Sequence, residues 1–163
     1  MVLISPTLTT AMNSGTILPK NRPAKLVGVI DGDTIEILHK QHTNVSFSMV
    51  DCPENGQAYG KRAKQATSEL VFGKEVALQT HGLDKYGRTL GDVILPDGTK
   101  VSHKLAQDGW CWWYRKYARG DTVLEGLEKA AREAKKGLRA HPRPLLRLEE
   151  KGIPAFDCSL VRL

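Results

Sequence analysis

The chain has little of what holds small disulfide-rich or zinc-bound scaffolds together. Its three cysteines, Cys52, Cys111 and Cys158, are an odd number, widely separated and without a CxxC pair. That spacing excludes a zinc ribbon or a thioredoxin-type redox motif, and disulfides are not the expected source of stability. No segment approaches the roughly 20 apolar residues of a membrane span. Met1 to Lys20 lacks the basic start and the long apolar run of a cleaved signal peptide. A soluble chain with no membrane partner is expected, with secreted and cytoplasmic destinations both open. Acidic residues are the scarcer charge, 18 Asp and Glu against 24 Lys and Arg, for a formal +6. Such a surface attracts polyanions, nucleic acid included, without naming a function. His42, His81, His103 and His141 show no metal-ligand spacing and are expected to face solvent.

With 163 residues there is room for one core and not comfortably for two. Pro6, Gly15, Pro19 and Pro23 punctuate an aperiodic stretch, so residues 1–24 read as a flexible arm. From Lys25 the pattern turns β-prone. Leu26–Ile30 and Thr34–Leu38 flank an Asp31-Gly32-Asp33 turn, and Val45–Val50 makes a third strand ended by Asp51-Cys52-Pro53. Apolar spacing between Gln57 and Phe72 predicts a helix stopped by Gly73. Two more strands, Glu75–Gln79 and Leu90–Leu95, are joined by Asp84-Lys85-Tyr86-Gly87-Arg88. Helices follow at Val101–Asp108 and at Thr122–Lys136, the second with Asp121 as N-cap and an inner stripe of Leu124, Leu127, Ala130, Ala131 and Ala134. Residues 25–140 thus form the expected domain and 141–163 a tail broken by His141-Pro142-Arg143-Pro144. Five short strands with so few helices suit an α+β fold, mainly a five-stranded Greek-key barrel of OB type with about three flanking helices.

Asp33, Asp51 and Glu54 each stand at a predicted strand end, where a barrel converges side chains. Carboxylates there, with backbone carbonyl and water, make the oxygen set that calcium prefers. Each alone is an ordinary turn residue. Arg88 adds a guanidinium fork for phosphate, and Tyr86 an aromatic beside it. Acids for a metal plus an arginine for phosphate compose a phosphoryl-transfer site. In the aromatic run Trp110 to Tyr117 the tryptophans are expected to pack the core against the last helix, with a base-stacking platform as the alternative. A small side chain beside a backbone ligand is the simplest reading of Cys52, with a reactive thiol as the alternative.

Three motifs, Ile30-Asp31-Gly32-Asp33-Thr34, Val50-Asp51-Cys52-Pro53-Glu54 and Asp84-Lys85-Tyr86-Gly87-Arg88, taken in order, resemble the staphylococcal nuclease (thermonuclease) family over about Lys25 to Leu138. The resemblance implies calcium-dependent hydrolysis of DNA and RNA, and a monomer is expected. By it, Asp33 and Asp51 ligate Ca2+ with the backbone carbonyl of Cys52, and Glu54 orients or deprotonates the attacking water. Arg88 binds the scissile phosphate, and Lys85, Tyr86 and Tyr117 contact a neighbouring nucleotide. One departure stands out: Ser46 occupies the position of a second phosphate-binding arginine, five residues before Asp51. A hydroxyl supplies no charge and no bidentate fork, so its presence costs on the order of several kcal/mol of transition-state stabilisation unless Lys61, Arg62, Arg115 or another cation replaces it. A weakened, nucleic-acid-binding or protein-binding relative is therefore the alternative expectation.

Overall fold

The computed structural model describes residues 22–39 and 41–140. The expected tail, His141 and almost all of the expected arm lie outside them. Seven strands alternate with three helices: β1 (Arg22–Asp31), β2 (Thr34–His39), β3 (Gln41–Phe47), β4 (Val50–Asp51), α1 (Gly60–Val71), β5 (Val76–Leu83), β6 (Thr89–Ile94), α2 (Val101–Gln107), β7 (Trp112–Trp113) and α3 (Thr122–Glu133), then a 3-10 turn at Gly137–Arg139. Five of the strands close into a barrel in the order β1-β2-β3-β6-β5. All neighbours are antiparallel except β3 and β6, and the pairing of Arg22–Ala24 in β1 with Val76–Leu78 in β5 completes the ring. The expected five-stranded OB-type barrel with three helices is therefore present.

Alternation builds this barrel. Ile35 and Ile37 of β2, Val45 and Phe47 of β3, Val76 and Leu78 of β5 and Val93 of β6 all turn inward and are buried. The helices cover the remaining apolar surface with Ala63 and Val71 of α1, Val101 and Leu105 of α2 and Leu124 of α3. At roughly 1.5 to 3 kcal/mol for each large side chain removed from water, this cluster is the main stabilising term.

Three details differ from the expectations. The strand predicted over Val45–Val50 breaks at Ser48 and Met49, and its end becomes β4, which leaves the barrel to pair with β7. Alternation favoured one continuous strand, and only the approach of Trp112-Trp113 from far along the chain splits it. The last helix ends at Glu133, and its buried stripe is Leu124, Glu128 and Ala131 at helical spacing, whereas Ala130 and Ala134 face solvent. A glutamate expected outside thus faces inward, because Arg139 and the backbone of Trp113 await it there. Cys52 and Cys111 are joined as a disulfide. An odd cysteine count spread over the chain carried no pairing signal, and the thiol alternative for Cys52 is overturned.

Candidate nucleic-acid-cleaving site

Asp33 ends the turn between β1 and β2, and its carboxylate is pinned from both sides. Oδ2 accepts the Cys52 N–H at 2.9 Å and Oδ1 the Thr34 hydroxyl at 3.1 Å. The turn itself is clamped from α1, where the buried Thr67 hydroxyl donates to the Gly32 carbonyl at 2.5 Å. Gly32 is required here by crowding: an added Cβ would lie 2.6 Å from Cys52 Cβ and 2.9 Å from Ala63 Cβ. Asp51 closes β4, one residue before Cys52. Glu54 follows in an exposed loop, its backbone held by exchange with Gln57 at 3.1 and 2.9 Å. Gly60 at the start of α1 lets the helix abut that loop, since any Cβ there would strike the Glu54 carbonyl.

Arg88 comes from the far side, at the end of the β5–β6 loop. Asp84 organises that loop by accepting the N–H groups of Tyr86 and Arg88, both at 2.8 Å, and the Arg88 Nε at 2.7 Å. Burial opposes the guanidinium charge, but the Asp84 hydrogen bond and the fields of Asp84, Asp33 and Glu54 outweigh it and hold the Arg88 pKa above its ordinary value. Lys85 and Arg88 both lie over the Tyr86 ring, with the ammonium 4.8 Å from its centre and the guanidinium carbon 5.7 Å.

These pieces line one groove, which contains Asp33, Asp51, Glu54, Arg88, Lys85, Tyr86 and Tyr117 together. Every side chain singled out in the sequence therefore reaches it, with Cys52 adjacent through its N–H to Asp33. Ser46 is there too, buried at the groove floor. In the ladders it stands opposite Thr34 on one side and Leu90 on the other, between the strands that begin just after Asp33 and Arg88. Of the cations considered as substitutes, Arg115 is engaged elsewhere, over the Trp113 ring at 5.0 Å and 3.9 Å from Glu128. Lys61 and Arg62 are exposed on α1.

Two residues at or beside the site were not singled out in the sequence. One is Asp31, a like-charged neighbour of Asp33 outside the groove lining, with one carboxylate oxygen buried without a hydrogen-bond partner. Burial and then the Glu54 charge raise its pKa. It lies in the same three-residue turn as Asp33, which was the available signal. The other, Tyr114, lines the groove, its ring 5.0 Å from that of Tyr117 and tilted 56° to it. The run Trp112-Trp113-Tyr114 left its register open. Trp112 and Trp113 are buried, as expected of core residues, and Trp110 is half-buried against the core. His42 and His81 are exposed, but His103 is half-buried beside Asp121 and does not face solvent as expected.

A divalent cation suits this donor set. Burial, with Asp51 and Asp31 as like-charged neighbours, pushes the Asp33 carboxyl up to about 7 despite two hydrogen bonds that favour its anion. Crowded carboxylates and an unpartnered oxygen are what a dication would relieve. Among the described residues no three acidic, imidazole or thiolate side chains form a ready-made cage. Carbonyl oxygen and water would have to complete the shell.

A sequence model of the family described as staphylococcal nuclease homologue matches residues 44–140. A micrococcal nuclease of Shigella flexneri is 37% identical over 128 residues, covering 72% of this chain and 74% of that protein. An uncharacterized endonuclease of Escherichia coli O157:H7 is 36% identical over 122 residues, 74% of this chain and 79% of the other. A probable staphylococcal-like nuclease of Oryza sativa subsp. japonica is 34% identical over 109 residues, 67% of this chain but 32% of that longer protein.

Proposed function

Because the chain belongs to the staphylococcal nuclease homologue family, we propose that it is a calcium-dependent nuclease hydrolysing phosphodiester bonds of DNA, RNA or both, acting as a monomer. The observation that carries this is convergence: three segments separated in sequence bring Asp33, Asp51 with Glu54, and Arg88 into one groove beside three tyrosines. Asp33, Asp51 and the carbonyl of Cys52 would hold the ion. When bound, calcium neutralises phosphate charge and polarises a phosphoryl oxygen.

The remaining chemistry belongs to the chain. Glu54 accepts a hydrogen bond from the attacking water and takes its proton as the oxygen closes on phosphorus. The bridging P–O bond then breaks, and the leaving oxygen picks up a proton. Arg88, already oriented by Asp84, donates to the phosphoryl oxygens as charge builds on them. Lys85, Tyr86 and the Tyr114–Tyr117 pair give the flanking nucleotide a charge and ring faces to stack on.

Ser46 supports a second reading, a weakened relative that binds nucleic acid or a protein on the same scaffold. Its place between the strands of Asp33 and Arg88 is where a second phosphate cation would enter. Digestion of single-stranded DNA, duplex DNA and RNA, in calcium and in chelator, decides between them. Calcium-dependent cleavage reduced at least a hundredfold in Glu54→Gln is expected. Cleavage by Ser46→Arg alone would sink the nuclease reading in favour of the binder.

A further inference from the structure

The segments that build the groove meet at one covalent joint. Cys52, beside Asp51, is bonded to Cys111, 59 residues away. Cys111 leads directly into β7, where Trp112 pairs with Asp51 and Trp113 with Val50, and the Tyr114 N–H then donates to the Met49 carbonyl at 2.9 Å. On its other flank Cys52 donates its own N–H to Asp33 and lies against Gly32 of the turn, which Ala63 of α1 also crowds. The half-cystine is thus wedged between the turn of Asp33, the strand of Asp51 and the arm bearing Tyr114 and Tyr117. A sheet of two strands, each two residues long, holds little without further support. Neither cysteine lies on a barrel strand.

We propose that Cys111 is a positioning residue for the groove: its disulfide holds Cys52, Asp51 and the tyrosine arm in register, and reduction weakens cation binding while the barrel persists. The proposal rests on the nuclease reading for the identity of the cation and not for its geometry. The switch is ordinary thiol–disulfide exchange. One thiolate of a dithiol attacks a cystine sulfur and the other cysteine leaves as a thiolate that takes a proton. The second thiol of the reagent then closes on the mixed disulfide, freeing the remaining cysteine. Two protein thiols and one cyclic disulfide result. Both cysteines are buried, so exchange waits on β7 lifting away from β4.

The test uses the full chain with Cys158→Ser, which leaves one cysteine pair, as the oxidised form, after prolonged incubation with dithiothreitol, and with Cys52→Ala and Cys111→Ala added. Calcium affinity is measured by calorimetry without nucleic acid, cleavage at saturating calcium, and amide exchange residue by residue. Reduced and double-alanine forms should bind calcium at least tenfold more weakly, with the rate at saturating calcium falling much less. Amides of Cys52 and Tyr114 should lose protection while those of Ile37 and Val93 keep it, and reoxidation should restore the reduced chain alone. Equal calcium affinity in oxidised and reduced forms overturns the proposal, as does loss of barrel protection together with that of Cys52. An oxidised chain that neither binds calcium nor cleaves sinks the nuclease reading instead. In that event, affinity for a single-stranded oligonucleotide and the same amides judge the clamp: a tenfold loss on reduction sustains it, and no change overturns it.

Discussion

Asp33 meets two opposed demands on one side chain. Packing at the barrel mouth leaves it half-buried among like charges, and the proposed cation site needs it charged. Its folded pKa of about 7 stands well above the ordinary 3.8. The native state therefore keeps a proton that the unfolded chain releases, so this contribution to stability is fully present below about pH 3.8 and is lost as pH rises through about 7. Asp33→Asn cannot titrate. In chelator its stability relative to the parent should rise by about 1.4 kcal/mol per pH unit, on the order of 4 kcal/mol from pH 4 to 7, read by urea unfolding at several pH values. A pH-independent difference between the two chains would refute the account. On the proposed calcium site, the ion at neutral pH should erase the variant's advantage by binding the folded parent in preference to the unfolded chain. Ser46 shows the other residue-scale lesson. Its identity and its departure from the family pattern are legible in the sequence, but its address between the strands that follow Asp33 and Arg88 is a property of the ladders.

At the scale of elements, α3 does more than shield the core. Its N-cap was readable: Asp121 accepts the N–H groups of Val123 and Leu124, each at 3.0 Å. Asp121→Ala should lower stability by about 1 kcal/mol in chemical unfolding. Its inward glutamate was not readable, since charge at position 128 on an amphipathic helix normally means solvent. Glu128 accepts from Arg139 at 3.0 Å and from the Trp113 N–H at 3.3 Å, tying the 3-10 turn and β7 to one helix. Removing the carboxylate takes the ion pair away from a buried arginine. Glu128→Ala should therefore cost about 3 to 5 kcal/mol, and Glu128→Gln, which keeps hydrogen bonding, visibly less. Equal losses in the two variants would mean that volume and not charge matters there. The short pair β4–β7 belongs to the same class of features. Two-residue strands leave no periodic trace, and β4 was hidden inside what alternation presents as a longer strand.

For the molecule as a whole, the disulfide changes how stability is distributed. Tying residues 59 apart restricts the unfolded chain and should stabilise the domain by about 4 kcal/mol on the loop-entropy account. A domain of this size is typically stable by roughly 5 to 15 kcal/mol, so the reduced chain should stay folded at room temperature with a lowered unfolding midpoint. Unfolding in urea with and without dithiothreitol measures this, and coincident curves would contradict it. Much of the architecture was determined by the sequence itself. Alternation in Thr34–Leu38 and Glu75–Gln79, the helical spacing after Gln57 and the breakers around them specify strands and helices, because period and turn chemistry act over a few residues. The candidate residues Asp33, Asp51, Glu54 and Arg88, which line one groove, were legible for the same reason, each sitting in a short, dense motif. Tertiary structure alone decided which distant segments share a wall. It paired Cys52 with Cys111, turned Glu128 inward, left an oxygen of Asp31 buried without a partner and brought Tyr114 to the groove of Asp33 and Arg88. Each of these depends on contacts made only when the barrel closes, and no local period or motif encodes contacts between segments that meet only in the folded chain.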